Sequence, residues 1–138
     1  MCYCTKVQKK YGVDISDIIG FIGSGGPYSF REDGSLTLRL LLDQLFRKGY
    51  DRRGGEPVRL MTKNHIPMLL IQSRHDGLIG FECAEDFARK AREMGNSCEL
   101  YSVKDRKNTH SWYTAGMFLE TREENRGLDK FFSWIEAL

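Results

Sequence analysis

Two residues of this chain stand where acid–base chemistry would need them. Asp76 follows the apolar run from Pro67 to Gln72, and His110 follows the run from Cys98 to Val103, 34 positions after the aspartate. An imidazole of near-neutral pKa can take a proton from a nucleophile and return it to a leaving group, provided that a carboxylate fixes its tautomer and stabilises the imidazolium. Acid and then histidine, each just beyond a strand and with a helix between them, is the order of the last two members of a nucleophile, acid, histidine triad.

The first member of such a triad is harder to find. Ser24 lies in Gly23-Ser24-Gly25-Gly26 after an apolar run. A nucleophile elbow needs glycine two positions before the serine and a helix directly after it. Position 22 is Ile, and the stretch from Pro27 to Gly34 reads as loop. Ser24 is therefore expected to end a strand rather than to attack a substrate. The same glycines do not read as a phosphate cradle, because no Lys-Ser or Lys-Thr follows and the G-x-G-x-x-G spacing is absent. His65 leads into a strand, at the end of the sheet away from ligand sites, and reads as structural or exposed. His75 adjoins the candidate acid and reads as a pocket wall.

The elements that must position these residues follow from apolar spacing. The apolar run from Ile18 to Ile22, bounded by Asp17 and by glycines, predicts a strand buried on both faces. The runs over 67–72 and 98–103 predict two more strands. Residues 7–12 read as the basic end of a helix stopped by Gly12. Residues 35–48 hold Leu36, Leu38, Leu40, Leu41, Leu42, Leu45 and Phe46, more apolar surface than one helix face needs, so that helix is expected to pack on two sides or to cover a pocket. Residues 51–64 lack a sustained period and predict a loop. Between the second and third strands, Cys83, Ala84, Phe87, Ala88, Ala91 and Met94 share one helix face, with acids leading and bases following. A last helix over 126–138 carries Leu128, Phe131, Phe132, Ile135 and Leu138 on a common stripe. This alternation predicts an α/β fold of three layers, α/β/α, on a mainly parallel sheet of about three strands with right-handed crossovers. Ligand sites in such sheets lie beyond the carboxyl ends of the strands, where both Asp76 and His110 fall.

Composition narrows the class. The 138 residues amount to one domain, 41% hydrophobic and 29% charged, and a formal charge of +2 gives no footprint for nucleic acid. No apolar run approaches the roughly 18 residues of a membrane span, and the first residues lack a signal-peptide pattern, so a cytoplasmic protein without membrane association is expected. Cys2 and Cys4 are too close together for half of a zinc site, and the four cysteines are expected to be reduced and structural. Neither metal nor cofactor is implied.

Three segments together carry a family likeness. The stretch from Asp17 to Phe30, with Ser24-Gly25-Gly26-Pro27-Tyr28, is similar to the turn that closes a strand after a nucleophile helix. The stretch from Ile66 to Asp76 looks like the strand and turn of a triad acid, with Ser73 where glycine is common. Asn108-Thr109-His110-Ser111-Trp112 looks like the turn of a triad histidine. In these features the chain resembles the α/β-hydrolase superfamily, in the carboxylesterase and lipase-like branch that includes feruloyl-esterase-like and arylformamidase-like enzymes.

The resemblance covers nearly all of the chain but only the carboxyl half of the family's fold. It implies residues 1–138 as part of one hydrolase domain, with 31–64 as a cap or insert region. It implies Asp76 as the acid, His110 as the base, and hydrolysis of a small ester through an acyl-enzyme. Tyr28, Leu78, Ile79 and Trp112 are then expected near the substrate pocket. Nothing matches the nucleophile or the oxyanion donors, which would lie in strands before Met1, so the chain alone is expected to be inactive. The strand from Ile18 to Ile22 is expected to present an open edge that pairs with an amino-terminal half or with another copy. The rival reading is a non-catalytic α/β binding or interaction module derived from a hydrolase.

Overall fold

The computed structural model describes residues 4–30, 35–46, 48–104 and 109–138. Three strands, β1 (Phe21–Ser24), β2 (Met68–Ser73) and β3 (Cys98–Val103), form one sheet in the order β1-β2-β3. Both pairings are parallel; Phe21 stands opposite Met68, and Met68 opposite Cys98. The helices are α1 (Thr5–Tyr11), α2 (Leu36–Leu45), α3 (Pro57–Leu60), α4 (Phe81–Glu93), α5 (His110–Thr114) and α6 (Arg126–Glu136).

The sheet is covered on both faces, which makes three layers. All six residues of β2 are buried, so its near-continuous apolar sequence is that of a central parallel strand. Alternation sends Met68 and Leu70 to one face, against Ala84, Phe87, Ala88 and Ala91 of α4. It sends Leu69 and Ile71 to the other, against Tyr113 and the α6 residues Phe131 and Trp134. Full burial of aliphatic side chains such as Leu69, Leu70 and Ile71 is worth about 1.5–3 kcal/mol each relative to exposure. Helix α4 has Glu82 in its first turn and Lys90 and Arg92 in its last, in the sense that complements the helix dipole. Among the described residues, no helix is long and apolar enough to cross a membrane.

Four sequence expectations need correction. The first strand is not over 18–22 but begins at Phe21. Asp14 accepts a hydrogen bond from the Ser16 amide and caps a 3-10 turn over Ile15–Asp17, which consumes the start of the apolar run. The first ladder bond is from the Phe21 amide to the Pro67 carbonyl; Ile18 packs beneath the turn and Ile19 is exposed. Helix α2 ends at Leu45 rather than at residue 48 and packs on one side, through Leu38 and Leu42, leaving Leu36, Leu40 and Leu45 exposed, while Arg39, Leu42 and Asp43 line a cleft. Residues 51–64 are not all loop. Glu56 is buried, accepts hydrogen bonds from the Phe30 amide and the Arg59 guanidinium, and starts α3, whose Val58 joins the core under α4. His110 stands not in a turn but at the first position of α5; residues 105–108, which include Asn108 of the expected turn, lie outside the described residues.

Candidate active site

The carboxyl end of β2 builds the aspartate's surroundings from local hydrogen bonds. Ser73 is fully buried, and its hydroxyl accepts from the His75 amide at 3.0 Å, which turns the chain out of the strand. The Arg74 amide still reaches the Val103 carbonyl at 3.0 Å, so the turn begins only after the β3 ladder is satisfied. Asp76 then closes an Asx-type turn, with Oδ1 accepting the Leu78 and Ile79 amides at 2.8 Å each. The side chains of Leu78 and Ile79 pack against Leu38 and Leu42 of α2, and the Ser35 hydroxyl donates to the Leu78 carbonyl at 2.7 Å. Helix α2 is thereby tied to the acid loop.

The other carboxylate oxygen faces the sheet and α5. Oδ2 of Asp76 lies 2.9 Å from Nδ1 of His110 and accepts Nε2 of Gln72 at 3.1 Å and the hydroxyl of Tyr113. The aspartate side chain is fully shielded from solvent, whereas the imidazole is 30% exposed. Burial alone would raise the Asp76 pKa. The hydrogen bonds from Tyr113, Ile79, His110 and Leu78 outweigh it and hold the carboxyl below its ordinary value. An ionised carboxylate can only accept, so Nδ1 of His110 is the donor of this pair, an arrangement that in the neutral ring leaves the lone pair on Nε2.

The end of β1 completes the cluster. Gly25 follows Ser24 with φ of 63°, a left-handed conformation that favours glycine. A Cβ on Gly25 would lie 2.6 Å from Thr114 Cγ2, 2.9 Å from the Tyr113 hydroxyl and 3.2 Å from His110 Cε1. The strand end is thus a backbone wall against which α5 is pressed. Ser24 is half-buried, and its hydroxyl donates to the Tyr113 carbonyl at 3.4 Å. No helix follows it, for residues 25–30 contain none.

The structure therefore brings together Asp76, His110 and, through Gly25, the neighbourhood of Ser24. The remaining site expectations separate from them. Tyr28 is not exposed to a pocket; it is 7% exposed in the core on the α4 side, 4.9 Å from the ring of Phe87. Its ring lies so close to the backbone that a Cβ on Gly23 would sit 2.1 Å from its hydroxyl. Leu78 and Ile79 serve the site through their backbone amides, while their side chains dock α2. The side chain of Trp112 lies outside the described residues. His65 is exposed, and exposed His75 has Nε2 3.2 Å from the Lys104 carbonyl rather than walling a pocket. Two clefts, of about 580 and 620 Å³, lie at α2 with residues 50–53 and between α3 and α4. Neither is lined by Asp76 or His110, and the candidate site is described by its carboxylate and imidazole geometry.

No protein-family model, curated protein or solved structure matches this chain. The assignment of the site thus rests on its own geometry.

Sequence reasoning missed Gln72 and Tyr113. Gln72 is fully buried at the end of an otherwise aliphatic strand, and its Nε2 also donates to the Ile79 carbonyl at 2.9 Å. A polar residue in such a run must find partners once buried, and Asp76 lies just four residues on. Tyr113 stands three residues after His110, on the same helix face, the spacing that makes neighbours of helical side chains. Both signals were present. Among the described residues, no group of three or more His, Cys, Asp and Glu side chains is placed to hold a metal ion.

Proposed function

We propose that this chain supplies the acid and the base of a serine-hydrolase-type esterase site of the α/β-hydrolase kind. The observation that carries the reading is the hydrogen bond between Asp76 Oδ2 and His110 Nδ1, at the carboxyl ends of parallel strands and on a carboxylate already satisfied by backbone amides. In this reading Nε2 of His110 takes the proton of a nucleophilic hydroxyl as that oxygen attacks an ester carbonyl. The protonated imidazole, stabilised by Asp76, gives the proton to the departing alcohol. The same nitrogen then takes a proton from water as that water attacks the acyl carbonyl, and returns it to the nucleophile's oxygen as the acyl–oxygen bond breaks and the acid is released.

The nucleophile and the oxyanion donors are assigned to a partner segment that pairs with the free edge of β1, and not to Ser24. Ser24 lacks the following helix of an elbow, and its hydroxyl points to a carbonyl oxygen. That same observation favours the second reading, a hydrolase-derived binding module without chemistry.

The test is hydrolysis of p-nitrophenyl butyrate by the purified chain, beside His110→Ala and Ser24→Ala, with a fluorophosphonate probe of serine nucleophiles. The reading expects no labelling of Ser24 and no effect of Ser24→Ala. Turnover abolished by both substitutions, with the label on Ser24, would make the chain a complete minimal enzyme and overturn the split assignment. A neutral His110 with its proton on Nε2 rather than Nδ1, read from imidazole 15N shifts, would overturn the acid–base reading itself.

A further inference from the structure

The Tyr113 hydroxyl has a geometry that simple core filling does not require. The ring is 1% exposed and packs with Leu69, Ile71 and Val103. Phenylalanine would fill the same space, and a buried hydroxyl is unfavourable unless it is bonded. This one donates to Oδ2 of Asp76, the very oxygen that accepts Nδ1–H of His110. The two rings meet edge to face, with centroids 6.2 Å apart and planes at 86°, and Gly25 backs both.

From this shared acceptor we infer that Tyr113 is a positioning residue which sets the basicity of His110: its hydroxyl holds Oδ2 in line with Nδ1 and draws charge from that oxygen. A carboxylate that shares its charge with a second donor stabilises an imidazolium less than one free to serve the imidazole alone. The phenol is a permanent donor. Burial first, then the bond to Asp76, raises its pKa far above the ordinary value, so it keeps its proton throughout the range in which histidine titrates.

Among the described residues, the ionisable groups in contact with the imidazole are Asp76 from the loop after β2 and Tyr113 on its own helix. Behind Tyr113, the Tyr28 phenol after β1 raises Tyr113 further. Ser24 and Gly25 at the end of β1 contribute no titrating group. The positioning role of Tyr113 rests on the acid–base reading above; its charge coupling to His110 does not.

The experiment is a pH titration of imidazole 15N and 1H shifts in the 15N-labelled full chain and in Tyr113→Phe, with His65 and His75 as internal references. In the variant the His110 midpoint is expected to rise by about half a unit to one unit, the scale of one charge-assisted hydrogen bond redistributed over two partners. The reference histidines should not move. An unchanged His110 midpoint with a lowered unfolding midpoint would assign the hydroxyl a structural role only and overturn the inference. Should Tyr113→Phe fail to fold, a nuclear Overhauser contact between the Tyr113 hydroxyl proton and His110 Hδ1 in the unaltered chain decides the matter, its absence counting against the inference. A shifted midpoint together with turnover abolished by Ser24→Ala and the fluorophosphonate label on Ser24 would retain the coupling and discard the split-site reading. An Nε2–H tautomer in the unaltered chain would discard both.

Discussion

Replacing Asp76 by alanine should be among the most destabilising single changes in this chain, and the hydrogen bonds say by how much. The carboxylate accepts from the Leu78 and Ile79 amides, Gln72, His110 and Tyr113. Gln72 retains the Ile79 carbonyl, and His110, being 30% exposed, can turn to water. The two amides and the Tyr113 hydroxyl are left stranded. A stranded buried donor costs about 1–3 kcal/mol. These costs do not add fully once water enters the space, so about 3–5 kcal/mol is expected, the range for removing one member of a buried charged network. At about 3–5 °C per kcal/mol for a chain of this size, the melting midpoint should fall by of order 10–20 °C.

Asp76→Asn should cost less, about 1–3 kcal/mol, because its amide oxygen still accepts from Leu78 and Ile79. Its amide nitrogen then confronts donors, and His110 is expected to move its proton to Nε2. The assay is urea unfolding followed by circular dichroism, with imidazole 15N shifts to read the tautomer. The pH dependence has a defined sign. Because the folded Asp76 pKa is lowered, its stabilisation is fully present above the unfolded value of about 4 and is lost as pH falls through the folded value. Once His110 has taken its proton, the advantage of the unaltered chain over Asp76→Asn should shrink as pH falls below about 4. An Asp76→Ala cost under about 1 kcal/mol, or an advantage that grows as pH falls below about 4, would refute the reasoning.

Other consequences are open to direct measurement. Gly25→Ala should lose about 1–2 kcal/mol from the left-handed backbone alone, and more from the contact with Thr114 and Tyr113, while shifting the His110 resonances; unfolding and resonances both unchanged would contradict the wall described for β1. In a parallel ladder alternate amides face alternate sides, and the Phe21 and Gly25 amides face β2, so those of Ile22 and Ser24 face the open edge. The purified chain should show an apparent mass that rises with concentration in light scattering, and Ile22→Pro should reduce that rise by removing an edge donor. A monodisperse monomer at high concentration would count against edge pairing. Phe87→Ala should cost about 3–5 kcal/mol in urea unfolding, because the Phe87 ring is 3% exposed and packs on Tyr28; a cost under about 1 kcal/mol would mean that this core repacks freely.

Much of the architecture was legible in the chain. Continuous aliphatic runs at 67–72, the single-faced stripe of α4 and the stripe of α6 are period signals, and period depends only on backbone geometry, so they predicted a parallel sheet with helices on its faces. The positions of Asp76 and His110 just beyond strands were legible for the same reason. What failed was decided by competition at element ends. Ile18 read as a strand residue, but the Asp14 cap spent it in a turn; Tyr28 read as a pocket residue, but Gly23 lets its ring lie close against β1 in the core. The leucines of α2 could not tell from spacing alone that only two of them would meet the acid loop.

What the sequence by itself determined, then, is the order of elements and which residue types stand at the carboxyl ends of the strands. Only the tertiary structure decided that Oδ2 of one buried carboxylate is shared by His110, Tyr113 and Gln72, because that sharing joins β2, its following turn and α5 across 41 residues of chain, from Gln72 to Tyr113. Periodicity reports which face a residue takes. Whether two polar atoms then fall within 3 Å depends on how the layers settle against one another, and here α5 settles against the strand end at Gly25, a close approach that leaves no trace in hydrophobic pattern.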